Sequence, residues 1–508
     1  MNRLLPFFVF LLLFSACLPE KERLILDLEE LSIESIHQKY KSGELSAVQL
    51  VEAYLARIDS VNPKINALTI VNPKALELAK ALDEEYKETG ILRPLHGIPM
   101  IVKDNINTIG MPTTAGSLAL ADFYPETDAF IIQQLEAAGA IIIAKSNMAE
   151  WAFSPMHSES STAGITRNPY NLDYVPAGSS GGTGTGIAAN LGVIGLGTDT
   201  GNSIRGPSSH NALVGFRTTL GLVSREGIVP LYLRNDVVGP MCKTVEDATR
   251  TLQVMVGVDP KDPLTRYSEG KAEKDYLQYL DKNGLQGARI GVFRTLSEND
   301  PDPEISALFN QALKDMEGIG ATIVDSVSVP NFNELRQDQW CPMFRKDLED
   351  FLQTYVKRDT MSSLEDVIRV GTKSDFARGR IASFSEDSLR RGNPEIPCGN
   401  AYEDERRIAF REAIEHTMDS LQLDALVYPS WNNRPALIDN FQEEYRGDNS
   451  QIIAPATGQP AFTVPMGYSS GNLPAGLQFL GRMYAEPTLI RLTYSYEQGT
   501  NHRVAPKL

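Results

Sequence analysis

"PAGSSGGTGTGIAANLGVIGLGTDTGNSIRGPSSHNALVGFRTT" (Pro176–Thr219) decides how this 508-residue chain is read. Small residues and glycines surround an apolar run, "NLGVIGLGTD" (Asn190–Asp199), that ends in polar residues as a buried strand does. Ser203 follows among Thr200, Gly201 and Asn202, with Arg205 just beyond. A serine hydroxyl is a poor nucleophile at neutral pH and needs a base. The nearest histidine is His210, so the stretch leaves open what would take the proton.

Working outward, "GIPMIVKD" (Gly97–Asp104) and "AIIIAKS" (Ala140–Ser146) are two more apolar runs with polar ends. The helical pattern "DAFIIQQLEAAG" (Asp128–Gly139) separates them, and strand, helix, strand is the signature of a buried α/β sheet. Chemistry in such sheets gathers in the loops at strand ends. "ARIGVFR", "DPEISALFNQALKDMEGIG" and "ATIVDSVSVP" (residues 288 to 330) repeat the texture. "LDALVYPS" (423 to 430), "PAFTVPMGY", "PAGLQFLGR" and the helix "PTLIRLTYSYEQ" close the chain. Residues 32 to 90 carry apolar positions at helical spacing, with helices expected to end at Pro or Gly. The polar, helical stretch of about 335–400 is expected to form a cap. One large α/β domain over residues 30–505 is the expected architecture.

The composition is that of a globular protein, with 42% hydrophobic and 22% charged residues. A net charge of -17 repels phosphate backbones, which argues against a nucleic-acid partner. "MNRLLPFFVFLLLFSAC" (Met1–Cys17) has one early arginine, an apolar run too short for a membrane span, and small residues before Cys17. It resembles the lipobox leader of bacterial lipoproteins. The expectation is a signal peptide over 1–17, lipid on Cys17, a tether over 18–29, and export to the periplasm with the lipid as the membrane contact. Cys242, Cys341 and Cys398 then remain, allowing at most one disulfide, and no spacing suggests a metal site.

Several serine chemistries compete. "GSSGG" (Gly178–Gly182) matches G-x-S-x-G with Ser180 as nucleophile, but that elbow needs a buried strand before it, and "NPYNLDYVPA" is a poor one. "SEGK" (Ser268–Lys271) lies in a charged stretch, and "GTGIAA" (Gly184–Ala189) lacks the strand that a dinucleotide loop requires. Lys103 ends an apolar run. It is either an exposed lysine at a strand end or a buried one whose lowered pKa makes it a base.

Three segments taken together resemble the amidase signature family. They are "GIPMIVKDNINTIGMPTTAGS" (97 to 117), the Pro176–Thr219 block, and "PATGQPAFTVPMGYSSGNLPAGLQFLG" (455 to 481). "AKSNMAEWAFS", "TRNPYNLD" and "GLVSREGIVPL" also look like the family, and the likeness covers roughly residues 30 to 500 with its core at about 96–245. The resemblance is greatest to exported bacterial amidases of the peptide-amidase kind. It implies a central mixed β-sheet covered by helices on both faces, and hydrolysis of a C–N amide bond, possibly of a peptide amide, without metal or organic cofactor. It also implies a Ser–Ser–Lys triad with Ser203 as nucleophile, Ser179 as the bridging serine after a cis Gly178–Ser179 bond, and Lys103 as base. The backbone N–H groups of Thr200, Gly201, Asn202 and Ser203 would form the oxyanion hole. Ser180, Asp199 and Arg205 would support the site, and Ser154, His157 and Gly178 would contact substrate, although His157 has a packing role as an alternative. Asn202 departs from the family's usual glycine; asparagine is the best-tolerated non-glycine residue in left-handed conformations, so the loop is expected to survive, and the side chain to narrow the site or contact substrate. His210 is expected to be structural. The alternative functions are the A-type component of an amidotransferase, which shares these motifs, and a non-catalytic binding lipoprotein on the same scaffold.

Overall fold

Residues 26–340, 343–385 and 398–508 are described by a computed structural model. The expected leader, the lipidation at Cys17 and the first part of the tether lie outside them. Leu28, near the end of the expected tether, is already buried in the core.

The apolar runs become strands: β1 (Leu68–Val71), β2 (Pro99–Lys103), β3 (Ile141–Ser146), β4 (Glu159–Ser160), β5 (Gly164–Ile165), β6 (Ile194–Asp199) and β7 (Val214–Arg217). They continue as β8 (Val237–Cys242), β9 (Arg289–Val292), β10 (Thr322–Val324), β11 (Ala425–Pro429), β12 (Ala461–Ser469) and β13 (Leu473–Leu480). Eleven of them form one mixed sheet in the order β1-β3-β2-β6-β8-β7-β12-β13-β11-β9-β10, and β4 and β5 form a small separate hairpin. Pairing is parallel from β3 through β2 to β6, antiparallel from β6 across to β11, and parallel again from β11 through β9 to β10. Every residue of β2, β3, β6 and β8 is buried, so layers cover both faces of the sheet there.

Because β2, β3 and β6 run parallel, their carboxyl ends share one edge. Lys103 lies opposite Ser146 there, and Asp199 ends the neighbouring strand. The helix Gly181–Ala188, "GGTGTGIA", lies directly on these strands. Glycine is a poor helix former, but here it permits close approach: a Cβ on Gly182 would stand 2.2 Å from the Asn147 carbonyl. The helix therefore presents Ser179 and Ser180 at its start, beside the strand ends.

Two helices at the amino end, Ile33–Ser42 and Ala47–Ile65, open with capping boxes at Ser32 and Ser46. The second does not stop at Pro63 as expected from the sequence. Pro63 sits in the last turn, and Asn66 closes the helix in a left-handed conformation with its N–H on the Asn62 carbonyl. The helices Phe344–Phe351, Leu364–Val370 and Asp375–Ser385 share an apolar cluster with Phe123, Trp151 and Phe153, separate from the main core. Cys242 is a buried free thiol and Cys398 is disulfide-bonded. Among the described residues no helix is long and apolar enough to cross a membrane.

Close strand contact makes a specific demand at β8. Gly239 pairs with Gly197 of β6, and a Cβ on Gly239 would stand 2.0 Å from the Phe216 carbonyl. Backbone cannot yield as a flexible side chain does, so Gly239→Ala should destabilise by about 3 kcal/mol. Urea unfolding against the parent chain reads this directly, and a loss below about 1 kcal/mol would contradict the packing.

Candidate active site

Lys103 is the last residue of β2, and its side chain is fully buried. Its Nζ donates to Ser179 Oγ at 2.8 Å, to Thr198 Oγ1 at 2.8 Å and to the Thr198 carbonyl at 3.3 Å. Burial pushes its pKa down to about 7, against the opposing pull of the Asp199 and Asp236 carboxylates. The lysine is thus the buried kind, near the point where it can hold or release a proton at neutral pH.

Ser179 follows a cis Gly178–Ser179 peptide bond, as expected. Its carbonyl accepts from the Ala149 N–H and from Ser158 Oγ, which fixes the turn before the glycine-rich helix. Ser180 donates to the Thr198 carbonyl at 3.2 Å, the same oxygen that Lys103 reaches. The Ser180 elbow lacks its strand, because residues 168 to 179 form none. In the charged stretch, Ser268 Oγ donates to the Thr265 carbonyl and has no part in this site.

Asp199 anchors the loop that carries Ser203. Arg205 reaches it through Nε at 3.1 Å, and Arg217 lies at 2.8 Å, all three side chains fully buried. Burial alone would raise the Asp199 carboxyl, but Arg205 and Arg217 outweigh it and hold the pKa at about 2. Its Oδ2 also accepts from the N–H groups of Ile204 and Arg205, while Arg205 reaches back to the Gly201 carbonyl. The four preceding N–H groups, of Thr200, Gly201, Asn202 and Ser203, donate to no acceptor among the described residues. Buried backbone donors are rarely left unpaired, and here they are grouped around one serine.

Ser203 is 4% exposed, and its Oγ faces Asn202 Oδ1 at 3.5 Å. Among the described residues no hydrogen bond joins it to Ser179. Asn202 keeps the loop without a left-handed backbone. Its amide instead turns toward the Pro155 carbonyl at 3.3 Å, over Gly206, where a Cβ would stand 2.7 Å from Asn202 Nδ2.

Ser154 Oγ pairs with His157 Nδ1 at 2.7 Å, and the His157 ring stacks on Phe441 with centroids 3.8 Å apart. The Ser154 and His157 carbonyls press on Gly178, where a Cβ would lie 2.4 and 2.3 Å from them. These three residues therefore form one wall behind Ser179. His210 packs beside Trp431; burial pushes its pKa down to about 3, and neither ring nitrogen has a protein partner among the described residues. A neutral, unbonded imidazole suits packing. Sequence reasoning missed Thr198, Arg217 and Asp236. Arg217 and Thr198 both stand inside the opening block, but nothing in their spacing marks them as partners of Asp199 and Lys103.

The Amidase family profile matches residues 49–490. The chain belongs to the Amidase family. The amidase is 33% identical over 499 residues to a probable amidase of Arabidopsis thaliana, covering 94% of this chain and 92% of that protein. It is 32% identical over 504 residues to the A-type component of the glutamyl-tRNA(Gln) amidotransferase of Carboxydothermus hydrogenoformans, covering 95% of this chain and 100% of that one. The native peptide amidase of Stenotrophomonas maltophilia superposes with a TM-score of 0.82 at 34% identity, covering 94% of this amidase and 99% of that chain. This amidase is accordingly an enzyme that hydrolyses amide C–N bonds.

Removing the Asp199 charge would leave two buried arginines without their shared partner. Asp199→Asn should cost about 3 kcal/mol or more at neutral pH. The folded carboxyl, at about 2, lies below its ordinary 3.8, so its contribution is complete above the ordinary value and is lost as pH falls through about 2. Urea unfolding of both proteins should therefore show a stability gap that is constant near neutrality and narrows toward acid.

Proposed function

We propose that this amidase works through an acyl-enzyme on Ser203, with Ser179 as proton bridge and Lys103 as base. The observation that carries the reading is the 2.8 Å bond between buried Lys103 Nζ and Ser179 Oγ. Neutral Lys103 takes the Ser179 proton as Ser179 takes the proton of Ser203, and Ser203 Oγ attacks the amide carbon. The developing oxyanion meets the N–H groups of Thr200, Gly201, Asn202 and Ser203, donors without an acceptor among the described residues; one such donor can be worth roughly 10²–10³ in rate. Lys103 and Ser179 then return a proton to the departing amine or ammonia. Water attacks the ester by the same relay and frees the carboxylic acid.

The substrate in this proposal is a linear amide, with the C-terminal amide of a peptide as the first candidate. The likeness to a peptide amidase over nearly the whole chain supports that choice. Likeness of similar extent to the A-type component of a glutamyl-tRNA(Gln) amidotransferase supports an amidotransferase component as the alternative reading.

A fluorophosphonate probe should label Ser203, as located by peptide mass mapping. Ser203→Ala should abolish labelling and lower peptide-amide hydrolysis by about 10⁴-fold or more. Lys103→Ala should slow labelling by about 10²–10³-fold. Labelling of the parent should climb as pH rises through about 7, as Lys103 loses its proton. Label on Ser180 instead would remove the triad assignment. Ammonia release from glutamine, with none from a peptide amide, would favour the amidotransferase reading.

A further inference from the structure

Asp236, at the foot of β8, is 5% exposed. Its Oδ1 accepts from Thr200 Oγ1 at 2.5 Å, and its Oδ2 from the N–H groups of Leu231 and Tyr232 at 3.0 and 2.9 Å. Among the described residues no cation lies within 4.0 Å of this carboxylate. The segment that carries it is tied on three sides. Arg217 donates to the Asn235 carbonyl at 2.8 Å, Arg407 to Asn235 Oδ1 at 2.6 Å, and the Leu233 N–H to Asp347 at 3.1 Å. A buried charge on so constrained a segment keeps a fixed position, and its partner Thr200 supplies one of the four free N–H groups beside Ser203.

We infer that Asp236 is a positioning residue of this amidase, whose hydrogen bond sets the Thr200 end of the oxyanion loop and whose unpaired charge acts on the base at Lys103. The inference rests on the proposed roles of Lys103 and Ser203.

The other charges around Lys103 are already matched. On β6, Asp199 is shared by Arg205 and Arg217. After β2 and on β3, Asp104 lies 3.6 Å from Lys145, which also donates to the Ile106 carbonyl and to Thr113 Oγ1. Asp236 has no cation within 4.0 Å among the described residues, while the guanidiniums of Arg217 and Arg225 face it from farther off. The strand that follows Asp236 pairs Val237 with Asp199 and Val238 with Thr198, whose oxygens hold Lys103 Nζ, so the carboxylate stands one strand from the lysine's own partners. An opposite charge favours the protonated lysine, so Asp199 and, after it, Asp236 oppose the desolvation that pulls Lys103 down. Taking the Asp236 charge away lets the pKa fall further.

Two variants separate the two parts of the role. Asp236→Asn removes the charge and keeps a side chain able to bond Thr200, whereas Thr200→Val removes the bond and keeps the charge. The readout is the rate of fluorophosphonate labelling from pH 5 to 9 on the full chain, with folding checked by circular dichroism. Asp236→Asn should move the acid limb toward lower pH by about half a unit or more. Thr200→Val should leave the limb in place and slow labelling by about tenfold. A limb unmoved in Asp236→Asn would overturn the electrostatic part, and an unchanged rate in Thr200→Val would overturn the positioning part, even if Asp236→Asn fails to fold. Lys103→Ala run beside them should erase the limb. A limb that survives in Lys103→Ala would instead refute the base assignment itself.

Discussion

The buried ammonium of Lys103 is the constraint on which the rest of the site depends. A lysine denied water at a strand end must find donors and acceptors in the protein, and it must do so without a carboxylate in contact. Thr198 and Ser179 supply three oxygens, and none of them bears a full charge. A direct ion pair would have held the lysine protonated and useless as a base. The parallel run β3-β2-β6 is what places Thr198 beside Lys103, and the glycine-rich helix brings Ser179 to the same point. The sheet therefore fixes the lysine's surroundings before any loop contributes.

The second requirement is a serine loop with free backbone donors. Left alone, such a loop would satisfy its N–H groups by folding on itself. The buried Arg205–Asp199–Arg217 cluster prevents this by binding the loop through side chains and through the N–H groups of Ile204 and Arg205. Among the described residues the donors nearer Ser203 have no acceptor. Charge at Asp199 is thus confined to structure, while the chemistry proposed at Ser203 uses neutral backbone dipoles and a lysine of adjustable charge.

Much of this was legible in the chain. Apolar runs ending at Lys103, Ser146 and Asp199 marked the strands, and the polar residues after them marked the edge where the site lies. The family resemblance then assigned Lys103, Ser179 and Ser203 to one place, and the structure brings Lys103 into contact with Ser179. Strand order was not legible, since β12 and β13 insert between β7 and β11 through contacts hundreds of residues apart in sequence. Arg217, Thr198 and Asp236 were missed for a similar reason. Each acts by a hydrogen bond that exists only once separate strands lie side by side, β2 and β6 for Thr198, β6, β8 and β7 for Arg217 and Asp236, and a lone arginine, threonine or aspartate carries no spacing signal. For Asn202 the departure from glycine was legible, but the partner of its side chain, the Pro155 carbonyl, was not.

Asn202 also bears on why Ser203 and Ser179 are not hydrogen-bonded. A glycine before the nucleophile would offer no side chain to hold the serine hydroxyl. Here Asn202 Oδ1 stands 3.5 Å from Ser203 Oγ, at the long limit of a hydrogen bond, while its Nδ2 is turned to Pro155. So long a bond holds the hydroxyl only weakly, and turning it toward Ser179 gives up little. In the proposed relay that hydroxyl leaves Asn202 for Ser179, while the loop is held by Asp199 and its two arginines. Because Pro155 lies between Ser154 and His157, the same asparagine ties the nucleophile loop to the wall behind Gly178.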